Sequence, residues 1–243
     1  MITKAQVKHI RSLADKKNRI EFNQFVVEGD KMVCELLQSS LVILKVYSTN
    51  EWALLNLKDN SNNFESYIVS VDELKALSLM TTPNQVIAIA ELPSCNQPEH
   101  MGVSIVLDSI QDPGNMGSII RIADWFGIQT VYCTADSADA FNPKVIQASM
   151  GSIFRVNVVP CDIGLLLDNN IDIPSYAAVI HGRAMNEFGK LDCGFIVIGN
   201  ESRGVSDSLI KKCTHQITIP KLGKAESLNA AVATGIICYA LLS

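Results

Sequence analysis

The sequence predicts an α/β protein with two successive domains, and three observations lead to this prediction. Apolar strands alternate with amphipathic helices along the chain, a polar segment after Leu92 interrupts the alternation, and the later strands are continuous apolar runs. Alternating strands and helices are typical of an α/β architecture. Strands that are apolar on both faces, such as VSIVLDSI and GFIVIGN, are typical of a parallel sheet covered by helices on both sides.

The first predicted domain covers residues 1–92 and begins with a basic helix at residues 3–14. The spacing of the hydrophobic residues then alternates along the chain. In some segments the period is two residues, which is typical of strands, and in others it is 3.6 residues, which is typical of helices. The expected strands are 24–28, 42–47, 66–70 and 85–92, and the expected helices are 30–39, 51–57 and 72–79, with Asp72 capping the last. Residues 93–102 contain two prolines and lack a hydrophobic pattern, so we expect them to form a linker.

The second predicted domain covers residues 103–243 and repeats the alternation. The expected strands are 104–110, 130–134, 155–159, 176–180, 195–198 and 217–219, and the expected helices are 116–126, 143–150, a short one near Leu165, 207–213 and 230–242. Because protein chains are rarely knotted, these elements predict a doubly wound, open sheet without a knot. In such a sheet the binding site lies at the carboxyl ends of the strands.

The charge distribution limits how this protein could meet a nucleic acid. A net charge of -5 excludes a protein that coats nucleic acid by bulk electrostatics, so such a partner would need a local basic patch. A candidate patch lies in the first 19 residues, where the basic residues are Lys4, Lys8, Arg11, Lys16, Lys17 and Arg19. An ordinary solvated helix face explains the same residues equally well.

Cysteine and histidine usage indicates neither disulfides nor a metal site. The seven cysteines are scattered and odd in number, which is typical of reduced thiols in a cytoplasmic protein. The four histidines are isolated, with no pair at the spacing of metal ligands, so we expect no metal. The amino terminus lacks the apolar core of a signal peptide, and no apolar run reaches the roughly 18 residues of a membrane span. We therefore expect a cytoplasmic protein.

The first of three polar loops follows the strand at 104–110. Its residues 112–115 are Asp, Pro, Gly and Asn, which predict a tight turn, and Gly117 permits close approach of the backbone. Arg121 then lies about one and a half turns into the next helix. Because isoleucines flank it, we expect Arg121 to be partly enclosed and to need an anionic partner. The alternative is a capped helix with a surface arginine.

The second and third polar loops also follow apolar strands. Glu201 comes directly after the strand FIVIGN and is flanked by glycines, so we expect its carboxylate to be oriented and partly desolvated. The third loop, residues 219–229, lies between a buried strand and a long apolar helix, which would prevent it from drifting. The alternative is a helix N-terminus, with Ser227 as the N-cap and Asn229 capping or solvating the first turn.

Several familiar chemistries are absent from these loops. The glycines do not have the spacing of a dinucleotide fingerprint, and there is no Walker sequence. Ser202 is misplaced for the Gly-x-Ser-x-Gly elbow of the hydrolases and has no evident histidine partner. A nucleotide hydrolase and an acyl transferase are therefore disfavoured.

Together the three loops resemble the signature motifs of the SpoU (TrmH-like) branch of the SPOUT RNA methyltransferases, of the 23S rRNA guanosine 2′-O-methyltransferase type. The matching stretches are N-M-G-x-x-x-R at 115–121, G-N-E-x-x-G at 199–204 and I-P-x-x-G-x-x-E-S-L-N at 219–229. Order, spacing and polar residues agree, and the resemblance covers about residues 103–243. More loosely, residues 1–92 resemble the small ribosomal-protein-like α/β domain that precedes the catalytic domain in members acting on ribosomal RNA.

The resemblance implies a parallel-sheet catalytic domain whose C-terminal segment forms a deep trefoil knot, a feature that composition and spacing do not indicate. The knot of this family binds S-adenosylmethionine through backbone groups. Matched motif to motif, the residues that would hold the cofactor are Gly182, Gly199, Ile219 and Leu228. The implied reaction transfers the cofactor's methyl group to a ribose 2′-hydroxyl.

The resemblance also assigns the polar residues of the reaction. Arg121 occupies the position of the family's catalytic arginine, and the groups placed around ribose and methyl donor are Asn115, Glu201, Ser227 and Asn229. Because the pKa of arginine exceeds 12, we expect Arg121 to bind a phosphate and to stabilise the developing alkoxide. That phosphate could accept the proton, and a role of Arg121 as the base is the less favoured alternative.

Partners follow from the same resemblance. Family members of this kind work as homodimers, and the apolar residues of the last helix, including Ile237, Tyr239 and Leu241, could form the interface or the core. Ribosomal RNA is the expected substrate because of the N-terminal domain, with transfer RNA as the alternative. A protein of the same fold that binds RNA without catalysis is the alternative outside the enzymes. The RNA contacts would involve residues 4–19 and the rim residues Lys144, Arg155, Arg183 and Arg203.

Overall fold

A computed structural model describes residues 2–57, 63–94 and 102–243 of the chain. Its residues divide into two compact units, Met1–Ser94 with Phe141–Phe154, and Cys95–Ala140 with Arg155–Ser243. The segment Phe141–Phe154 thus belongs to the first unit, whereas the sequence prediction placed it within the second domain. The predicted linker at 93–102 lies mostly outside the described residues.

The first unit contains a four-stranded mixed sheet with the strand order β1-β4-β2-β3. β4 runs antiparallel to both β1 and β2, and β3 runs parallel to β2. The strands are β1 (Gln24–Glu28), β2 (Ile43–Ser48), β3 (Glu65–Ile68) and β4 (Val86–Glu91). All four predicted strands are present, and their apolar side chains pack against helices in two buried clusters.

The helices of the first unit differ from the prediction at its amino end. They are α1 (Lys4–Ser12), α2 (Lys16–Phe22), α3 (Asp30–Leu37), α4 (Asn50–Asn56), α5 (Val71–Leu77) and α7 (Pro143–Ser149). α2 was not predicted, because its only fully buried side chain is Arg19 rather than an apolar residue. The Arg19 guanidinium donates to the carbonyl oxygens of Leu13 and Ala14, both at 2.7 Å, and so caps the end of the preceding helix.

The capping of α5 corrects a second prediction. Ser70, not Asp72, is the N-cap, since its hydroxyl accepts from the backbone N–H of Glu73. The Glu73 carboxylate accepts in turn from the backbone N–H of Ser70 at 2.9 Å. This reciprocal capping box satisfies two N–H groups that the helix itself cannot pair.

The second unit contains a six-stranded sheet in which all strands are parallel, with the order β10-β8-β9-β5-β6-β7. The strands are β5 (Val103–Asp108), β6 (Thr130–Cys133), β7 (Asn157–Pro160), β8 (Ser175–Ala184), β9 (Gly194–Gly199) and β10 (His215–Thr218). β5 and β9, which the sequence identified as continuous apolar runs, lie side by side at the centre and are almost fully buried. The α/β class and the parallel sheet are therefore confirmed.

In the described part of the second unit the α-helices are α6 (Pro113–Trp125), α8 (Ile163–Asn169), α9 (Asp207–Ile210) and α10 (Ala230–Leu242). The residues predicted to form a tight turn before α6 are instead its first turn. Pro113 is tolerated there because the first helical N–H has no intrahelical partner. The Asp112 side chain caps the helix by accepting from the backbone N–H of Asn115 at 2.8 Å.

β8 continues past the predicted end at residue 180 and lies very close to β10. Gln216 pairs with Ala177, but the next residue of β10, Ile217, pairs with Arg183. The pairing register therefore shifts by several residues of β8 at this point. Gly182 therefore lies within β8 rather than after it. A Cβ atom on Gly182 would stand 2.8 Å from backbone atoms of Gln216 and Ile217, so only glycine permits this approach.

No helix in the described part of the chain is long and apolar enough to cross a membrane.

Candidate active site

Side chains from all three polar loops meet at the carboxyl ends of β5 and β9. The Asn115 side-chain amide donates to the Glu201 carboxylate at 2.6 Å, and its oxygen accepts from the Asn229 amide at 2.8 Å. These partners are 86 and 114 residues away from Asn115 in sequence. Only the folded chain brings them together, as the sequence motifs predicted.

The loop that carries Glu201 is fixed at both ends. The Asn200 amide donates to the Ser109 carbonyl oxygen at 2.8 Å, and its oxygen accepts from the backbone N–H groups of Ser202 and Arg203. Further along, the buried carboxylate of Asp108 accepts from the backbone N–H of Ser206 at 2.7 Å. The position of Glu201 is therefore set by bonds to the end of β5.

Asn229 caps α10 while it contacts Asn115. Its side-chain oxygen accepts from the backbone N–H groups of Ala231 and Val232, at 3.0 and 3.2 Å. The capping alternative was therefore correct for Asn229, which performs it together with the contact to the site. Ser227 is not the cap, and it makes no hydrogen bond within the described residues.

Arg121 corrects the expectation that it would be enclosed. It lies on the exposed side of α6 and makes no hydrogen bond or ion pair with any residue in the described ranges. Its isoleucine neighbours Ile119 and Ile120 point into the core instead. The guanidinium is therefore available to an anion from outside the chain.

The four residues predicted to hold a cofactor lie on neighbouring elements at one end of the sheet. Gly182 and Gly199 lie near the carboxyl ends of β8 and β9, and Ile219 directly follows β10. Leu228, 46% exposed, precedes the helix α10. Because β10, β8 and β9 are neighbours in the sheet, Ile219, Gly182 and Gly199 lie at or just after the ends of three consecutive strands.

The backbone between Ile219 and Leu228 is available for binding. None of its N–H groups donates a hydrogen bond to a residue in the described part of the chain, and nearly every side chain is exposed. Ile219 is half-buried at the start of this segment. Unpaired backbone amides next to apolar side chains suit a heterocycle such as a nucleobase.

The sequence analysis gave no role to two residues of the site, Asn200, which stands in the second motif, and Asp108. Each is the polar residue at which a continuous apolar strand ends, a position where a side chain is held by the sheet. That pattern could have identified them. They were overlooked because asparagine and aspartate also end strands simply by forming turns.

One exposed face is shared by α6 and α10. On α6 it comprises Asn115, Ser118 and Ile122, and on α10 it comprises Val232, Gly235, Ile236 and Tyr239. Trp125 lies three residues after Ile122, so helical spacing puts it on the same side of α6. Trp125 is 83% exposed and Tyr239 is 68% exposed. Ile237 and Leu241, which were also candidates for an interface, are buried in the core.

Among the described residues, no group of three or more His, Cys, Asp or Glu side chains could hold a metal ion. The cysteines that the structure describes form no disulfide.

Comparison with known protein families assigns both parts of the chain. The SpoU rRNA Methylase family model matches residues 102–239, and the model of the MRM3-like substrate binding domain matches residues 4–88. The chain is 31% identical over 242 residues to the 23S rRNA (guanosine(2553)-2′-O)-methyltransferase RlmP of Bacillus subtilis. That alignment covers 97% of this chain and 95% of RlmP.

Solved structures give the same result for the fold. A protein of Porphyromonas gingivalis, assigned to the TrmH family of RNA methyltransferases, matches with a TM-score of 0.91 and 35% identity, covering 100% of this chain and 98% of its own. The SpoU methyltransferase AviRb of Streptomyces viridochromogenes, in complex with AdoMet, matches with a TM-score of 0.87 and 25% identity. This second match covers 98% of this chain and 97% of AviRb.

Proposed function

The chain belongs to the SpoU rRNA methylase family, and we propose that it methylates a ribose 2′-hydroxyl of 23S ribosomal RNA with S-adenosylmethionine as donor. One observation carries the proposal from the family to this chain. The Asn115 amide joins Glu201 and Asn229, so the polar residues of the three family motifs form one site. A protein that only bound RNA would not need this arrangement.

The residues at the ends of β8, β9 and β10 suit the cofactor. When bound, S-adenosylmethionine supplies an electrophilic methyl group on its sulfonium, so the protein has to position the acceptor and manage its proton. We assign adenosine binding to the unpaired amides of residues 219–228 and to the apolar Ile219 and Leu228. Gly182 and Gly199 complete the site, because a side chain at either position would collide with neighbouring backbone.

The acceptor hydroxyl must lose its proton as its oxygen is methylated, and the adjacent phosphate would accept that proton. Arg121, exposed and without a partner in the described residues, would bind the adjacent phosphate and stabilise negative charge on the oxygen. Asn115, Glu201 and Asn229 form a hydrogen-bonded row that would orient the ribose. We assign the exposed Ser227 to the same polar set.

The close crossing of β8 and β10 supports a knot at the C-terminal end. β10 pairs with β8 both at Ala177 and at Arg183, and Gly182 touches the β10 backbone. These contacts are as expected if the segment after β10 is tucked through the chain that follows β8, giving a deep trefoil knot. A crystal structure in which residues 219–243 pass outside that segment would refute this.

We assign RNA binding to the N-terminal domain, residues 1–92, joined by the linker at 93–102 to the catalytic domain at 103–243. Of the six basic residues near the amino end, Arg19 is only 2% exposed and cannot contact RNA, whereas Lys16 and Lys17 are exposed. Ile20, 63% exposed, adds an apolar surface for bases on the same helix. We therefore place an RNA contact on α2.

Two of the arginines that were predicted to contact RNA at the rim already form ion pairs within the protein. Arg155 forms an ion pair with Asp124 at 2.8 Å, and Arg183 forms one with Glu187 at 2.9 Å. Both pairs are partly exposed, so phosphate could compete for these arginines only by displacing a carboxylate. Lys144 and Arg203 are exposed and remain candidates.

The contact on α2 can be tested by charge reversal. The double variant Lys16→Glu, Lys17→Glu should bind RNA more weakly, and its affinity should depend less steeply on salt, by about two phosphate contacts. Binding would be measured between low and physiological salt, with Lys190→Glu, Lys211→Glu as the matched control. Equal salt slopes for both double variants would remove α2 from the interface.

We further propose a homodimer formed through the exposed face of α6 and α10. Trp125 and Tyr239 are large, aromatic and mostly exposed, which is costly unless a partner covers them. Arg121 lies on the flank of that face, so a second subunit would approach the site. We place the enzyme in the cytoplasm, since the cysteines that the structure describes form no disulfide.

The decisive experiment is methyl transfer with purified protein. Labelled S-adenosylmethionine should bind to the protein, and label should appear on a ribose oxygen of 23S rRNA from cells that lack this gene. If the label appeared only in transfer RNA, the substrate would be transfer RNA instead of ribosomal RNA. A protein that binds RNA but neither takes up the cofactor nor transfers label would be a non-catalytic member of the family.

A further inference from the structure

We propose that Asn200 is a positioning residue, whose side chain holds the turn after β9 so that the Glu201 carboxylate meets Asn115. This inference rests on the proposed function, because the position of Glu201 matters for activity only if the site transfers methyl groups. The hydrogen bonds of the Asn200 side chain go to backbone atoms and not to the side chains of Asn115, Glu201 or Asn229.

The Asn200 side chain makes three hydrogen bonds in two directions. Its NH₂ group donates to the Ser109 carbonyl oxygen at 2.8 Å. Its oxygen accepts from the backbone N–H groups of Ser202 and Arg203, at 3.0 and 3.2 Å. A primary amide has the donor and the acceptor on two separate atoms, as this position requires, whereas a carboxylate lacks the donor and a hydroxyl has both on one atom.

Ser109, whose carbonyl oxygen accepts from Asn200, is itself held in place by hydrogen bonds. The Ser109 backbone N–H donates to the Thr134 hydroxyl at 2.9 Å, and the Ser109 hydroxyl donates to the Asp136 carboxylate at 2.7 Å. Ser109 has a φ of 59°, a left-handed conformation that a serine adopts only when its surroundings impose it. Asn200 therefore connects the turn to the residue that directly follows β5, and that residue is itself held by residues just after β6.

The far side of the loop is held by other hydrogen bonds, so the Asn200 side chain is needed only for the turn itself. The Asp108 carboxylate holds Ser206, and the backbone N–H of Gly204 donates to the Asn200 carbonyl oxygen at 2.8 Å. These bonds secure the far side of the loop without the Asn200 side chain. Loss of that side chain should therefore release residues 201–203 without unfolding the domain.

Release of the turn would reach the reacting groups through Glu201. The hydrogen bond between Glu201 and Asn115 is 2.6 Å long, and the side-chain oxygen of Asn115 accepts a hydrogen bond from the Asn229 amide. A displacement of about 1 Å at the turn is enough to break such a bond, and a misplacement of that size costs roughly 100-fold in rate. The predicted effect is on kcat rather than on cofactor binding.

The test is a double-mutant cycle in the full-length protein. Asn200→Ala, Glu201→Gln and the double variant would be assayed for methyl transfer to ribosomal RNA at saturating cofactor and RNA. We expect Asn200→Ala to lower kcat about 100-fold with little change in KM. The double variant should be no slower than the slower single variant, since Asn200 acts only through Glu201.

Two further variants separate positioning from stability. Asn200→Asp keeps the acceptor for Ser202 and Arg203 but loses the donor to Ser109, so its kcat should lie between those of Asn200→Ala and the unaltered protein. Asn170→Ala removes a single side-chain bond to the Leu166 carbonyl in α8 and should leave kcat unchanged. The midpoint of thermal unfolding would be measured for each variant.

The outcomes are distinct. If the unaltered protein transfers no methyl label, the proposed function fails and the inference fails with it. If it does transfer label, multiplicative effects of the two substitutions, or an Asn200→Ala variant that loses thermal stability but keeps its kcat, overturn the inference alone. Non-additive loss of kcat with a preserved unfolding midpoint supports it.

Discussion

Arg121 lies six residues after Asn115 on α6, about 9 Å along the helix axis. It has no anionic partner in the described residues, although it is the residue to which the family motif assigns catalysis. We expect Arg121→Ala to reduce methyl transfer by about 1000-fold, as when a donor to a developing oxyanion is removed. Cofactor affinity, measured by calorimetry, should stay nearly unchanged, because the cofactor residues lie on other elements.

Arg121→Lys is the matched variant. Lysine keeps the charge but cannot bind a phosphate with two parallel N–H groups, so only part of the activity should return. An equal loss of activity and cofactor affinity in Arg121→Ala would instead mean that the arginine has a structural role.

Glu28, at the end of β1, allows a pH prediction in the first unit. Burial raises the pKa of its carboxyl above the ordinary value, against hydrogen bonds from Ser78 and the backbone of Leu79 and the charge of Arg11, which lower it. The folded state therefore holds this proton more tightly than the unfolded chain does. Its contribution to stability is full below the unfolded pKa of about 4.5 and declines as pH rises through the raised pKa.

Glu28→Gln should remove that decline. Urea unfolding at several pH values would give the free energy of unfolding of both proteins, and the difference, variant minus unaltered protein, should increase from about pH 4.5 upward. A constant difference across this range would show that Glu28 has an ordinary pKa in the folded protein.

At this scale, the sequence identified residues whose role is chemical and missed those whose role is geometric. Asn115, Glu201 and Asn229 were found because three loops matched one family pattern, and the structure joins them. For Arg121 the sequence favoured partial enclosure, with a surface arginine as the alternative. The structure shows the alternative, because the helix turns the isoleucine neighbours inward and the arginine outward. Asn200 stands in the second motif but was given no role, because its partners are backbone atoms that only the folded chain brings near it.

Among the elements, β9 offers a sharp test of backbone packing. A Cβ atom on Gly199 would stand 2.0 Å from backbone atoms of Gly204 and Val205. Backbone atoms cannot rotate away as a side chain can, so Gly199→Ala should lower the free energy of unfolding by about 3 kcal/mol. Urea unfolding would measure this loss.

Gly189 provides the control for this substitution. Nothing lies within 4 Å of a Cβ atom at that position, so Gly189→Ala should change the free energy of unfolding by less than about 0.5 kcal/mol. If both variants unfold at the same urea concentration, the close packing at the end of β9 is wrong.

Strands were predicted more reliably than helix boundaries. β5 and β9 are long apolar runs, so their existence follows from composition alone. The start of α6 was placed three residues late, because Pro113 and Gly114 were interpreted as a turn rather than as a capped first turn of helix. The extension of β8 beyond residue 180 depends on pairing with β10, which is distant in sequence.

For the molecule as a whole, the exposed face of α6 and α10 predicts its assembly state. Trp125→Glu, Tyr239→Glu places two charges where the partner subunit would pack, so this double variant should sediment as a monomer while the unaltered protein sediments as a dimer. Ile171→Glu is the control, because Ile171 is 80% exposed but follows α8, away from this face. A double variant that remains dimeric would place the interface elsewhere.

Topology was the least predictable level. The alternation of elements correctly indicated a parallel α/β sheet, but the order β10-β8-β9-β5-β6-β7 depends on contacts between residues far apart in sequence. β5 pairs with β9, so Val106 lies beside Val197, and nothing in either strand specifies that partner. General rules also argued against a knot, and only the family resemblance suggested one.

The central pairing of β5 with β9 has a consequence for biosynthesis. As the polypeptide leaves the ribosome, Val103–Asp108 emerges early, but its neighbour Gly194–Gly199 is translated some ninety codons later. Until then one apolar edge of the nascent sheet has no cover, and Asn229, translated later still, cannot reach Asn115. Incomplete chains released by stalled translation would therefore expose an unpaired, aggregation-prone strand edge and would lack an assembled active site. Chaperones are needed for chains in this state.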